Sequence, residues 1–165
     1  MLSLIAAVGK RGEIGLDGKL PWYIPEDLKR FRQITRNKTV IMGRITFESI
    51  LQSLGSPLPD RKNIVITSNQ DYVVPEGCLV FHSLETAIKV TLNENEVFII
   101  GGAKLYEKAL PYVHRMYITY INHEFEADTF FPEIDLTKWK ITETQFGRRT
   151  EAEPYNCSYM VYERI

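Results

Sequence analysis

Cysteine, histidine and net charge are all scarce in this chain of 165 residues, and each scarcity removes a class of function. The two cysteines, Cys78 and Cys157, lie far apart without metal or redox spacing. That points to a reduced, cytoplasmic chain rather than a disulfide scaffold. His82, His114 and His123 lack zinc-ligand spacing, so no metal site is expected. A formal net charge of −1 gives no global attraction to nucleic acid or to a membrane surface. Any anion site therefore has to be local. No apolar run approaches membrane-spanning length. The opening LSLIAAV is too short for a secretory signal and lacks its basic start. The common catalytic signatures are missing too. There is no G-x-G-x-x-G, and GEIGLDGKL fails as a P-loop because Leu20 follows Lys19 where a Ser or Thr is needed. No serine sits in a nucleophile elbow, and neither cysteine lies in a recognised nucleophile motif. With nucleophile and metal both unsupported, hydride transfer from a bound cofactor fits better than hydrolysis.

What is present is ordinary globular material: 44% hydrophobic and 25% charged residues, enough for one domain with a sizeable core over residues 1–165. Short apolar, β-rich runs recur at Leu2–Val8, Thr39–Met42, Asn63–Thr67, Cys78–Phe81 and Val97–Ile100. Continuous runs of that length suit strands buried on both faces of a parallel sheet. Helical patterns alternate with them at 26–36, 46–53, 84–92 and 103–109. After residue 113, HRMYITYINHEF, WKITETQF and CSYMVYERI are longer and partly alternating, as antiparallel strands are. The expected class is α/β with a mostly parallel sheet and antiparallel strands added late.

One carboxylate looks misplaced. In KLPWYIPEDLKRFRQIT, Pro25 suits a first helical position, and Ile24, Leu28, Phe31, Ile34 and Thr35 share one face of the helix. Asp27 falls inside that apolar stripe. An acidic residue in a first turn complements the helix dipole, but Glu26 already does so from the solvent side. A carboxylate on the buried side needs a partner, and this helix face has none to offer. The partner has to come from elsewhere in the fold or from a ligand. Immediately before this helix, residues 9–25 hold Gly9, Gly12, Gly15, Gly18 and two prolines, with Ile14, Leu16, Leu20 and Trp22 among them. A loop of that length and composition reads as a mobile lid.

Two strand-to-helix junctions look alike. TVIMGRITFES passes through Gly43 and Arg44 into a helix beginning near Thr46, and EVFIIGGAKLYEKAL passes through Gly101 and Gly102 into a helix carrying Lys104 and Tyr106. Small residues admit a ligand to the backbone, and helix N-termini present free N–H groups. Both junctions fall beyond the carboxyl ends of strands, where open α/β sheets bind ligands. Together with Arg44 and Lys104 they suit a ligand with several phosphates, and Thr67 and Ser68 at the end of a third strand can add hydroxyls. Arg61 precedes another strand in PLPDRKNIVIT. It is either a solvated turn charge or a bidentate partner for a substrate carboxylate.

These pieces, in this order, resemble the bacterial dihydrofolate reductase family. The match runs through LIAAV, IGLDGKLPW, PEDLKRF, VIMGRITFESI, PLPDRKNIVIT, VFIIGGAKLYE, YITYI, ADTFFP and the late Tyr159 segment, nearly the whole chain. The resemblance implies a central mixed, mostly parallel eight-stranded sheet flanked by four helices. It implies reduction of 7,8-dihydrofolate to tetrahydrofolate with NADPH, supplying one-carbon carriers, in a cytoplasmic monomer that also takes antifolate inhibitors. By the same resemblance Asp27 binds the pterin, Thr119 supports that contact, and Trp22 positions a water. Ile5, Ala7, Leu28, Phe31, Ile50, Leu58 and Ile100 wall the pterin and benzoyl rings, and Arg61 takes the glutamate tail. The cofactor site comprises Ala7, Ile14, Gly15, Gly18, Lys19 and the lid's Leu20. To these it adds Gly43, Arg44, Ile45 and Thr46, with Thr67, Ser68 and His82 toward the adenosine. Ile100, a cis Gly101–Gly102 link, Ala103, Lys104, Leu105 and Tyr106 complete it. Arg44 with Thr67 and Ser68 would hold the 2′-phosphate and favour NADPH over NADH.

The chain departs from the family at three places. Ala103 stands where many members have a third glycine, and Ala127 precedes Asp128 where glycine is frequent. LQSLGSPLP is longer than in the shortest members, which leaves the second basic residue near the tail without a counterpart. Two other readings stay open on the residues: an NADPH reductase acting on another pterin or a ribosylamino-pyrimidine, and a non-catalytic nucleotide-binding module. Asp27 with Arg61 argues against the first. The carboxylate, lid and paired junctions argue against the second.

Overall fold

The computed structural model describes residues 1–147, 149–151 and 154–165. Among the described residues the strands are β1 (Leu2–Val8), β2 (Glu13–Gly15), β3 (Thr39–Gly43), β4 (Lys62–Ile66), β5 (Leu79–Phe81), β6 (Val97–Ile99), β7 (Arg115–Ile121), β8 (Thr129–Phe130), β9 (Trp139–Phe146) and β10 (Cys157–Arg164). The helices are α1 (Pro25–Thr35), α2 (Arg44–Leu54), α3 (Leu84–Val90) and α4 (Ala103–Ala109). Eight strands form one sheet in the order β5-β4-β3-β6-β1-β7-β10-β9, and β2 pairs with β8 in a separate ribbon.

The apolar runs are the reason for the centre of this sheet. Val40, Ile41, Met42, Ile64, Val65, Phe98 and Ile99 are all fully buried, as strands covered on both faces must be. Helix α3 begins where Ser83 accepts a hydrogen bond from the Thr86 N–H at 3.2 Å, a side-chain N-cap. Helix α2 stops at Gly55, whose φ of 74° closes the last turn.

Three sequence expectations change. β7 runs parallel to β1, and only its other neighbour, β10, is antiparallel to it. Its alternating pattern comes from position rather than direction, because Arg115, Tyr117 and Tyr120 are half-buried beside buried Met116, Ile118 and Thr119. Helix α2 starts at Arg44 instead of near Thr46, with Gly43 as its N-cap. The strand read as Asn63–Thr67 is β4, Lys62–Ile66, one residue earlier at each end. The ribbon of β2 and β8 is an addition, since strands this short leave almost no pattern in sequence.

Candidate active site

Asp27 is partly buried on the first turn of α1. Its partner comes from across the fold. Thr119 Oγ1 on β7 donates to Asp27 Oδ1 at 2.7 Å, across 92 residues of chain. Thr119 sits between Ala7 of β1 and Tyr159 of β10 in the sheet register. The threonine is therefore held by strands on both sides. The hydroxyl braces a carboxylate that, as an anion, is an acceptor only.

Most of the expected wall residues fall in two apolar clusters. Ile5 and Leu58 are buried in one core cluster, and Phe31, Ile50 and Ile100 pack against it half-buried. Leu28 remains 37% exposed. Ala7 packs in a second cluster with Trp22, Ile24 and Phe125. Trp22 is buried, and its Nε1 finds no acceptor among the described residues, as suits an indole that bonds a water or ligand. The Tyr106 hydroxyl donates to the Ile5 carbonyl at 2.8 Å. Burial, and then the charge of Asp27, pushes that phenol up from its ordinary value, so it stays a neutral donor.

Arg61 is no solvated turn charge. Its Nη1 donates to Thr35 Oγ1 on α1 at 3.1 Å. Thr35 itself is fully buried and donates to the Phe31 carbonyl. The Arg61 Nε is buried without a partner among the described residues. Burial pulls the guanidinium down from its usual value, yet an arginine stays charged.

The two junctions meet. β3 and β6 are neighbours, so their carboxyl ends lie side by side and the Gly43 N–H donates to the Gly101 carbonyl at 2.9 Å. Neither N-cap, Gly43 of α2 or Gly102 of α4, carries a side-chain acceptor for the first-turn N–H groups. Those donors are left for a ligand. The Gly101–Gly102 bond is cis and Gly101 has a φ of 125°. A Cβ at Gly101 would meet the Tyr106 hydroxyl at 3.3 Å and Thr46 Oγ1 at 3.6 Å. A residue with a side chain would be strained there by its backbone, and the Tyr106 hydroxyl would have to give by a few tenths of an ångström. These features fit a group carrying a pyrophosphate. Ala103 and Leu105 lie in the first turn of α4, and Lys104 beside them is exposed.

Further out, Arg44 Nη1 pairs with Glu48 Oε2 at 3.0 Å. Thr67 is buried, accepts the Asn69 N–H at 3.2 Å and presents its carbonyl to His82 Nδ1 at 2.7 Å. Ser68 and His82 are exposed. Thr67 thus builds the turn, and its neighbours face outward.

The lid is less free than its glycines suggest. Leu16 and Lys19 form an antiparallel bridge. The Asp128 N–H donates to the Gly15 carbonyl at 3.0 Å, and the Asp17 N–H donates to Asp128 Oδ2 at 3.0 Å. Gly18, Lys19 and Leu20 are exposed at its tip, Ile14 and Gly15 half-buried at its root, and Ile45 of α2 faces Gly18. The residues that sequence reasoning missed are those that hold the lid: Arg11, Glu13, Phe125 and Asp128. Nothing local marks them, because a carboxylate in a glycine-rich loop reads as solvated. Among the described residues no cluster of His, Cys, Asp or Glu is placed to hold a metal.

Comparison with known proteins agrees with this geometry. A family model described as dihydrofolate reductase matches residues 1–164. The dihydrofolate reductase of Bacillus subtilis (strain 168) is 44% identical over 164 residues, covering 99% of this chain and 95% of that one. That of Staphylococcus haemolyticus is 42% identical, with 99% and 96% covered. A solved structure of dihydrofolate reductase from Enterococcus faecalis, complexed with NADP(H) and RAB-propyl, superposes with a TM-score of 0.93 at 41% identity, covering 99% of this chain and 96% of that one. With matches of that extent over nearly the whole chain, the chain belongs to the dihydrofolate reductase family.

Proposed function

We infer that the chain reduces 7,8-dihydrofolate to 5,6,7,8-tetrahydrofolate with NADPH. The observation that carries this is the Asp27–Thr119 pair, a hydroxyl-braced carboxylate on a helix whose Phe31 and Ile34 pack against an apolar cluster. A flat heterocycle with adjacent N–H donors answers both features. Asp27 accepts the pterin 2-amino group and the neighbouring ring nitrogen, with Thr119 holding the carboxylate in place. Ile5, Ala7, Leu28, Phe31, Ile50, Leu58 and Ile100 exclude water from the ring faces. Arg61, pinned by Thr35, presents its fork to the glutamate carboxylate.

NADPH, when bound, supplies the hydride that C6 of dihydrofolate accepts. The uncapped N-termini of α2 and α4, with Thr46, Lys104 and the Gly101–Gly102 turn, hold the pyrophosphate. Arg44 with Thr67 and Ser68 takes the 2′-phosphate, and His82 edges the adenine. Ala7, Ile14, Gly15, Gly18, Lys19, Leu20, Gly43, Ile45, Ala103, Leu105 and Tyr106 line the remainder. Asp27 favours the reactive pterin tautomer and raises the basicity of N5, which takes its proton from solvent. Trp22 positions a water at that edge through Nε1. No helix among the described residues is long and apolar enough to cross a membrane, and we assign the chain to the cytoplasm as a monomer, without nucleic-acid or membrane partners.

The deciding assay follows nicotinamide absorbance with dihydrofolate present and absent. Rapid loss only with dihydrofolate is the expected result. Turnover on another pterin or a pyrimidine substrate, with none on dihydrofolate, would replace this reading.

A further inference from the structure

Asp27 is not the most deeply buried carboxylate in the molecule. Glu13, in β2 at the root of the lid, has no exposed surface at all. Its Oε1 accepts the Arg11 N–H, and its Oε2 accepts the Phe125 N–H at 2.7 Å across 112 residues of chain. Arg11 closes the figure. Its Nη2 donates to the Phe125 carbonyl at 2.7 Å, and its Nε lies 3.8 Å from Glu13 Oε2. Both polar ends of Phe125 are therefore held by the root of the lid. The main chain encloses the carboxylate, since the Gly9 N–H donates to the Glu13 carbonyl at 2.9 Å. A Cβ on Gly9 would stand 2.7 Å from Oε2 and 2.9 Å from the carboxylate carbon. Gly9 has to be glycine for the carboxylate to lie there.

The held residue leads to the site. The Phe125 ring packs on Trp22 with ring centroids 5.0 Å apart. Trp22 and Phe125 share a buried cluster with Ile24, and Ile24 is the N-cap of α1, whose carbonyl accepts the Asp27 N–H at 3.1 Å. A buried ion is weak evidence for stability, because an apolar side chain of equal volume often does as well. What an apolar residue cannot do is accept two N–H groups and fix where they point. We propose that Glu13 is a positioning residue for the reaction: its carboxylate clamps Phe125 against Trp22 and so sets the indole and the start of the Asp27 helix. The role assigned to turnover rests on the reductase reading above, whereas the clamp itself does not.

Two variants break the clamp from opposite sides. Glu13→Gln keeps the shape but turns an amide donor toward a backbone donor. Gly9→Ala keeps the charge and displaces it. Each is made in the full chain with Trp139→Phe, leaving Trp22 as the sole tryptophan. Without any ligand, exchange of the Phe125 amide should quicken about 10-fold, while Ile41 and Ile99 amides in the sheet keep their rates. Acrylamide quenching of Trp22 should rise roughly twofold as the indole loses its packing partner. In turnover, kcat should fall about 10-fold with KM for NADPH changed less than twofold. The double variant should be no worse than either single one, since both remove the same contact. A variant that lowers the melting temperature but leaves Phe125 exchange, Trp22 quenching and kcat at parental values makes Glu13 a purely structural residue and overturns the proposal. If Glu13→Gln does not fold, Gly9→Ala decides by the same three readings. A parent chain that fails to oxidise NADPH with dihydrofolate defeats the reductase reading alone, and the two ligand-free readings still judge the clamp.

Discussion

Asp27 and Glu13 are both carboxylates turned inward, and their surroundings separate their roles. Asp27 accepts from the Thr119 hydroxyl at 2.7 Å and is partly open. Glu13 is enclosed by backbone N–H groups. Replacing Asp27 by Asn keeps the shape but sets amide donors against the pterin's donors. Turnover at neutral pH should fall roughly 10²-fold or more, with circular dichroism unchanged and stability altered by no more than about 1 kcal/mol. The loss should shrink as pH falls, because substrate protonated in solution no longer needs the carboxylate. Normal turnover of the variant at neutral pH would leave Asp27 as a first-turn charge and nothing more. For Glu13 the pH effect concerns stability. Burial alone would raise its carboxyl, but the N–H groups of Phe125, Glu13 and Arg11, with the Arg11 charge, outweigh it and hold the group below its ordinary value of 4.5. A depressed folded value means the stabilisation is complete above the unfolded carboxylate range and fades as pH falls through the folded value. The melting temperatures of the parent and Glu13→Gln should therefore differ most near neutral pH and converge on acidification.

At the scale of elements, the site is made by helix starts rather than by helix bodies. Gly43 and Gly102 leave two N-termini uncapped at adjacent strand ends. Starting α2 at Arg44 places that guanidinium in the first turn, where Glu48 meets it one turn on. The pair is 41% and 47% exposed, so it is worth only ~0.3–0.5 kcal/mol and gives way readily to a phosphate. Arg44→Ala should raise KM for NADPH roughly 10–100-fold while leaving KM for NADH nearly unchanged. Equal effects on both cofactors would remove Arg44 from the 2′-phosphate. Residues 9–25 read as a mobile lid from their glycines, and the structure shows them bonded at Leu16–Lys19 and to Asp128. Their attachment to residues 122–131 through β2, β8 and Asp128 was not legible, because three- and two-residue strands carry no period.

Across the whole molecule, the parallel sheet gathers the carboxyl ends of β1, β3 and β6 along one edge, with β7 beside β1. Met116 of β7 is fully buried in the core, paired with Leu4 and Tyr162 in neighbouring strands. Met116→Ala should cost about 2–5 kcal/mol in urea unfolding, with KM for dihydrofolate within roughly twofold of the parent. Since residues 1–165 are read as one domain, tryptophan fluorescence and far-UV circular dichroism should report the same transition. Two separated transitions would divide the chain into independently folding parts.

The amino-acid sequence by itself determined whatever rests on neighbours in the chain. The apolar runs marked the buried strands, Pro25 marked the start of α1, and the glycines marked both junctions and the lid. It also showed that Asp27 lies on an apolar face and lacks a partner on its own helix. Local sequence named no partner for that carboxylate; the family resemblance pointed to Thr119, and the tertiary structure brings it there across 92 residues. Only the tertiary structure decided that β7 runs parallel to β1, that Arg61 is pinned to Thr35, and that Glu13 is buried. A strand's apolar pattern reports burial but not direction, and a charged side chain in a loop reports nothing about the backbone that will close around it. Local propensity travels along the chain, whereas desolvation and hydrogen-bond partners are set by whichever distant segment the fold brings alongside.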